Sequence, residues 1–167
     1  MTQLVYHPAF DAYHAFLRSV RILLACPDGL DPMALRILDF FLLFPERIES
    51  ARLTPALRSL VKRTPIEPRF PYDTLPASRP LFARMAEAQT AASQTLLAKG
   101  LANADGEKLR LSRDRVPAPL LDLCEEQNEN ERSLMDTLKA LGAAFPTQGA
   151  NGLKDRSGLA EFRYDVV

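Results

Sequence analysis

Excess charge of either sign, histidine, cysteine and long apolar runs are all scarce in this chain of 167 residues, and each shortage removes a class of function. Lys and Arg total 21 against 21 Asp and Glu, for a formal net charge of zero. A chain so balanced lacks the general basic field that nucleic-acid binders use for steering and counterion release, so any DNA contact has to be local. The longest apolar run, Ile37 to Phe44, is interrupted by Asp39 and is too short to span a bilayer. The N-terminus, MTQLVYHPAFD, has no basic start, apolar block and small-residue cleavage site, so the cytoplasm is the expected location. The only cysteines, Cys26 and Cys124, stand far apart in apolar helical settings, where a thiol behaves as a small buried hydrophobe.

The shortage of reactive groups extends to catalysis. The two histidines, His7 and His14, are too far apart along a helix to share a zinc ion and have no cysteine nearby, so no metal site and no cofactor is expected. Asp11 and His14, three apart, could form an acid–base pair, but a polar helical face accounts for them equally well. Ser19, Ser93 and Ser112 lack a nucleophile-elbow context, and no glycine-rich phosphate loop is present. The expectation is a chain that is not an enzyme.

What is present is helical patterning. Residues 9–25 place Phe10, Tyr13, Leu17, Val20 and Leu24 at helical spacing, widened by Phe16 and Leu23, with Asp11, His14, Arg18 and Arg21 opposite. Asp31-Pro32 supplies a cap and a first-turn proline for a second helix at 32–44, apolar almost all round and therefore central. Thr54-Pro55 repeats the signal for a third helix at 55–63, which points Leu57, Leu60 and Val61 inward. Pro65, Pro68, Pro71, Pro76 and Pro80 then exclude regular helix or central strand until about Ser78, leaving an extended segment held down by Ile66, Phe70, Tyr72 and Leu75. A fourth, alanine-rich helix runs from about 80 to 99 and stops at Gly100, with Leu81, Met85, Ala88, Ala92 and Leu96 on one stripe.

After that glycine, Leu101, Leu109 and Leu111 frame Asp105-Gly106, a two-residue hairpin signal. Helix, glycine stop, strand, turn and strand make a wing. The chain therefore reads as mainly α: a winged helix-turn-helix core with a β-hairpin wing, an extra N-terminal helix, a Pro-rich insert and a C-terminal helical extension. Residues 1–115 form the winged helix-turn-helix domain. Residues 116–167 form the extension, packed on the same domain and ending in a short strand, EFRYDVV, that pairs with residues 4–6. Within the extension, EEQNENERS is either the solvated middle of one long helix or the meeting point of two.

A wing invites a DNA reading, which the charges do not favour. The fourth helix offers Arg84, Gln89, Thr90, Ser93, Gln94 and Lys99, diluted by Glu87 and many alanines, whereas DNA readers line the exposed face with Arg, Lys, Asn or Gln. The most basic segment is Arg47 to Arg69, where Arg58, Lys62 and Arg63 cluster, although salt bridging is the ordinary fate of such a stretch. Small residues on the fourth helix suit close packing against protein. Protein docking is thus favoured over a DNA-binding transcriptional regulator, with Arg58, Lys62, Arg63, Arg84, Gln89 and the acidic Glu125, Glu126 and Glu129 as candidate partner-binding residues.

Three segments carry a resemblance: YHPAFDAYHAFLRSVRIL at the start, LRILDFFLLFPERI after it, and LPASRPLFARMAEAQTAASQTLLAKGL, which closes in Ala-Lys-Gly-Leu. They resemble the small middle component of bacterial ABC-three-component systems, over residues 6 to about 101 and mostly through packing residues. The resemblance implies a non-catalytic adaptor that links an SMC-like ABC ATPase to an effector in defence against phages and plasmids. It transfers no active-site residue, leaves room for a homodimer, and leaves the part from Val116 onward, with its acidic helix, as a lineage-specific docking surface.

Overall fold

The computed structural model describes residues 6–161. The expected pairing of residues 4–6 with the C-terminal strand therefore falls largely outside the described residues. Seven α-helices and one hairpin are described: α1 (Ala12–Ala25), α2 (Pro32–Leu43), α3 (Pro55–Arg63), α4 (Ser78–Ala98), β1 (Ala102–Asp105), β2 (Lys108–Leu111), α5 (Ala118–Asn130), α6 (Arg132–Ala144) and α7 (Leu153–Ser157). The fold is mainly α, as the sequence patterning predicts.

Local chemistry sets most of these boundaries. Asp31 Oδ1 accepts from the backbone N–H groups of Met33 and Ala34, and Thr54 Oγ1 accepts from that of Leu57, so both cap-plus-proline signals start helices. α4 ends as a glycine stop should: Gly100 takes φ +68, and the N–H groups of Gly100 and Leu101 return to the carbonyls of Leu97 and Leu96. The first helix begins later than its apolar spacing suggests. A 3-10 turn, Pro8–Phe10, precedes it, and Asp11 caps α1 by accepting from the N–H of His14 at 3.0 Å.

The hairpin forms with a shifted turn. Asp105 pairs with Lys108, which makes Gly106 and Glu107 the two loop residues rather than Asp105 and Gly106. Gly106 alone among them takes positive φ, +62, so a glycine-first turn replaces the expected one. On the other side of the hairpin, Leu30 exchanges both backbone hydrogen bonds with Leu109, at 2.9 and 2.7 Å, which ties the segment before α2 to β2. Gly29, at φ +80, allows this approach; a Cβ there would lie 2.8 Å from the Leu109 carbonyl oxygen.

The insert between α3 and α4 is extended, and Ile66, Phe70 and Leu75 pack against the core. Tyr72, expected as a fourth anchor, is instead 97% exposed, because the chain turns back there and is held by other bonds. Arg69 Nε donates to the Leu42 carbonyl at 2.9 Å, and Arg47 Nη1 to that of Pro76 at 3.0 Å. The stretch EEQNENERS resolves into two helices, with Glu131 between α5 and α6.

One hydrophobic cluster contains residues of α1, α2, α3 and α4 together with Cys124, Leu134, Met135, Leu138, Leu141 and Leu153, so residues beyond 116 share the core of those before it. α2 is buried on nearly every side, with Phe40 in edge contact with Phe41 and tilted contact with Phe44. The expected apolar stripe of α1 holds at Val20 and Leu23, which are buried, and at Phe16, Leu17 and Leu24, which pack against the core, but it fails at its start and on its polar side. Arg18 and Arg21, assigned to its polar face, are each only 7% exposed, while Phe10 and Tyr13, assigned to its apolar stripe, are 36% and 67% exposed. Packing explains the difference: α1 lies against α2, α4, α5 and α6 at once, so it has no long solvent face to give the arginines.

Burial of those arginines is made tolerable by partners. Asp39, the one acid in the apolar run of α2, is 1% exposed; its Oδ1 accepts from Arg18 Nε at 2.5 Å and its Oδ2 from Arg18 Nη2 at 3.2 Å and Gln89 Nε2 at 2.8 Å. Gln89 also accepts from Arg36 Nε at 2.9 Å and donates to the Arg36 carbonyl at 3.1 Å. A buried carboxylate is expensive unless it is saturated with donors, and here α1 and α4 supply them, with Arg36 of α2 holding Gln89 in place. Arg18 Nη1 reaches further, to the Pro8 carbonyl at 3.2 Å.

Removing one member leaves the other uncompensated. Asp39→Leu should cost about 3–5 kcal/mol in a urea denaturation at neutral pH, and Arg18→Met in the same chain should recover part of that loss. An additive double variant would contradict the pairing. Gly29→Ala should cost about 1–3 kcal/mol in the same assay, through the positive φ and the Leu109 contact.

Candidate partner-binding surfaces

The residues that could have carried chemistry have structural work. The Asp11 carboxylate accepts from the backbone of His14, not from its ring, so the pair is a helix cap. His7 Nδ1 accepts from the Ala9 N–H at 3.1 Å and its ring lies 4.5 Å from that of Phe70, with Asp73 Oδ2 3.5 Å from Nε2. Burial, ahead of the opposing pull of Asp73, holds the His7 pKa below its ordinary value. Cys26 and Cys124 are free and buried, and burial pushes both thiols up, away from the reactive thiolate. Among the described residues no group of three or more His, Cys, Asp or Glu is placed to hold a metal ion.

The candidate docking residues separate into three places. Arg58, Lys62 and Arg63 lie together on the exposed side of α3, whose other side buries Leu57 and Val61. Arg84 is exposed on α4, with its guanidinium 4.6 Å from the centre of the Phe10 ring. Gln89 does not belong to any surface: it is 3% exposed, and its amide is spent on Asp39 and Arg36. On α5, Glu126 is exposed and Glu125 half-buried; Glu125 is bonded to Arg113, and the exposed Glu129 is bonded to Arg132.

Sequence reasoning missed two features. The first is a set of exposed rings at the N-terminal end: Tyr6 and Tyr13 lie 5.9 and 6.0 Å from the half-buried His14, and Phe10 carries the guanidinium of Arg84. Aromatics with arginine make up the typical hot-spot composition of protein interfaces. Helical periodicity hides them, because it counts rings as core. The second is Glu131, which joins three parts of the fold: its carboxylate meets Arg21 of α1 at 2.5 Å and Arg69 of the insert at 2.6 Å. Asn128 reinforces the junction, accepting from Arg21 Nε at 2.9 Å and donating to the Arg21 carbonyl at 2.9 Å. Two arginines three apart in an otherwise apolar helix were the available signal for such partners. A groove of about 730 Å³ runs past this junction, lined among others by Pro65, Glu67, Pro68, Glu129 and Arg132.

The geometry defines a small helical protein whose internal polar groups brace its helices and whose accessible features are charged and aromatic surfaces. The chain belongs to the family described as ABC-three-component (ABC-3C) system Middle Component 5, whose model matches residues 4–165. The match runs well beyond the expected limit near residue 101, so α5, α6 and α7 are part of the family's own fold rather than an addition to it. No curated protein and no solved structure matches the chain.

The Glu131 junction has a pH signature. Burial alone would raise its carboxyl, but the hydrogen bonds and charges of Arg21 and Arg69 outweigh burial and hold the pKa below the ordinary 4.5. A carboxyl lowered in the folded state stabilises the fold above its unfolded pKa and loses that contribution as pH falls through the folded value. Thermal unfolding followed by circular dichroism should therefore show Glu131→Gln less stable than the parent at pH 7, with the two curves converging as the pH is taken below about 4. Parallel curves would contradict the assignment.

Proposed function

We propose that this chain is a non-catalytic, cytoplasmic adaptor of an ABC-three-component system, joining an SMC-like ABC ATPase to an effector that acts in defence against phages and plasmids. The observation that carries this reading is the family match over nearly the whole chain. Two features of the molecule support it. Asp11 and His7 cap helical turns and Asp39 is held in a buried brace, and the exposed aromatic and basic surfaces have the composition of protein contacts. No helix of the described residues is long and apolar enough to cross a membrane.

The scaffold is read as a winged helix-turn-helix in which α2, α3 and α4 are the three helices, β1 and β2 the wing, α1 the extra N-terminal helix, and the Pro-rich segment an insert before α4. The support for this is the hydrogen-bonded bridge of Leu30 to Leu109, which adds a short third edge to the hairpin on the β2 side. Fold alone does not choose between DNA and protein as the partner. The DNA regulator reading is the weaker one, since Gln89 is buried, Arg84 is stacked on Phe10 and the chain has no net charge.

Co-expression of the three components with an affinity tag on this chain tests the reading. The ATPase and the effector should co-elute with it, and should no longer co-elute with each other when it is omitted. An ATPase and effector that associate equally well without it would contradict the adaptor role.

A further inference from the structure

The stretch from Arg47 to Arg69 is the most basic part of the chain, and the structure sorts its cations into two sets. Arg47 donates to the Pro76 carbonyl and to Ser78, Arg52 meets Asp155 at 2.6 Å, and Arg69 meets Glu131 at 2.6 Å. These three are consumed in holding the insert and α7 in place. Arg58, Lys62 and Arg63 form the other set. All three are exposed, all lie on the solvent side of α3, and among the described residues none has a carboxylate within 4.0 Å. Glu49 and Glu67, the nearest acids in sequence besides Glu46, are exposed and form no bridge to them. Salt bridging, the ordinary fate of such a stretch, is therefore absent from this face.

We infer that the exposed face of α3, carried by Arg58, Lys62 and Arg63, docks onto an acidic patch of a protein partner, the ABC component of its own system. This rests on the adaptor reading above and gives it a surface. Charge complementarity argues for an anionic partner, and three features argue for protein over nucleic acid. From Arg58 to Arg63 the helix rises only about 7.5 Å, enough for a compact acidic patch and short for a duplex, where binding strength comes from many phosphates. Lys62 and Arg63 occupy the last turn, so the carbonyl end of the helix, its negative pole, lies beside them, whereas helices meet phosphates with their N-termini. The remainder of the chain brings no net positive charge to draw in a polyanion. Leu57 and Val61 are buried beneath the face, so α3 presents its cations from a fixed base.

The test measures binding of the full chain to the purified ABC component and, separately, to the purified effector by titration calorimetry, at low and moderate salt, beside a random 30-base-pair duplex. The variant is Arg58→Glu/Lys62→Glu/Arg63→Glu, whose changes are all at exposed positions and whose folding is checked by thermal unfolding. The parent should bind the ABC component and not the duplex, moderate salt should weaken that binding, and the variant should bind about tenfold or more weakly with an unchanged melt. Because reversal at Arg63 alone could perturb the α3 terminus, Arg58→Glu/Lys62→Glu is measured as well and should retain most of the loss. A variant that binds like the parent overturns the docking face while leaving the adaptor reading standing. Tight duplex binding lost in the variant overturns it in favour of nucleic acid. A parent that binds the effector but not the ABC component overturns this inference alone, and one that binds neither overturns the adaptor reading and this inference together.

Discussion

A single buried carboxylate organises the central part of this molecule. Asp39 sits in the buried apolar stretch of α2, where its carboxylate oxygens need donors from neighbouring helices. Arg18 of α1 and Gln89 of α4 supply them, and Arg36 holds Gln89 in turn. Hydrophobic burial alone would tolerate α1 and α4 sliding or turning on α2. The fixed directions of these hydrogen bonds do not, so three helices acquire one mutual register.

A second charged junction repeats the device at the edge of the core. Glu131 stands where α5 ends and α6 begins, and the two arginines it binds come from α1 and from the Pro-rich insert. Segments with little apolar area of their own, the insert above all, thereby gain a defined place on the scaffold. The two junctions share α1, where Arg18 serves one and Arg21 the other. That is why a helix carrying two arginines runs through the middle of the structure instead of lying on its surface.

The sequence disclosed much of the frame because its signals are local. Asp31-Pro32, Thr54-Pro55 and Gly100 act through backbone geometry within a few residues, and each marks a real boundary. The hairpin was legible for the same reason, down to the glycine that makes its turn. What local signals could not give was the orientation of α1. Periodicity assumes that arginine faces water and phenylalanine faces the core, and the Asp39 and Glu131 contacts, 21 and 110 residues away, reverse both assumptions. The same buried carboxylate withdrew Gln89 from the docking set, while Phe10 and Tyr13, at the start of the apolar pattern, lie at the surface. Arg58, Lys62 and Arg63 were legible as a group, but their lack of partners depends on where Asp155 and Glu131 fall in space.

Internal polar groups make a rigid scaffold, and function lies in what its surface touches. Hydrogen exchange measured on the chain alone and within its assembled system tests this directly. Amides of α1, α2 and α4 around Asp39 should exchange slowly and equally in both states, with new protection confined to exposed faces. Changed exchange throughout those three helices on assembly would show that the core rearranges to bind, and the rigid-scaffold account would fail.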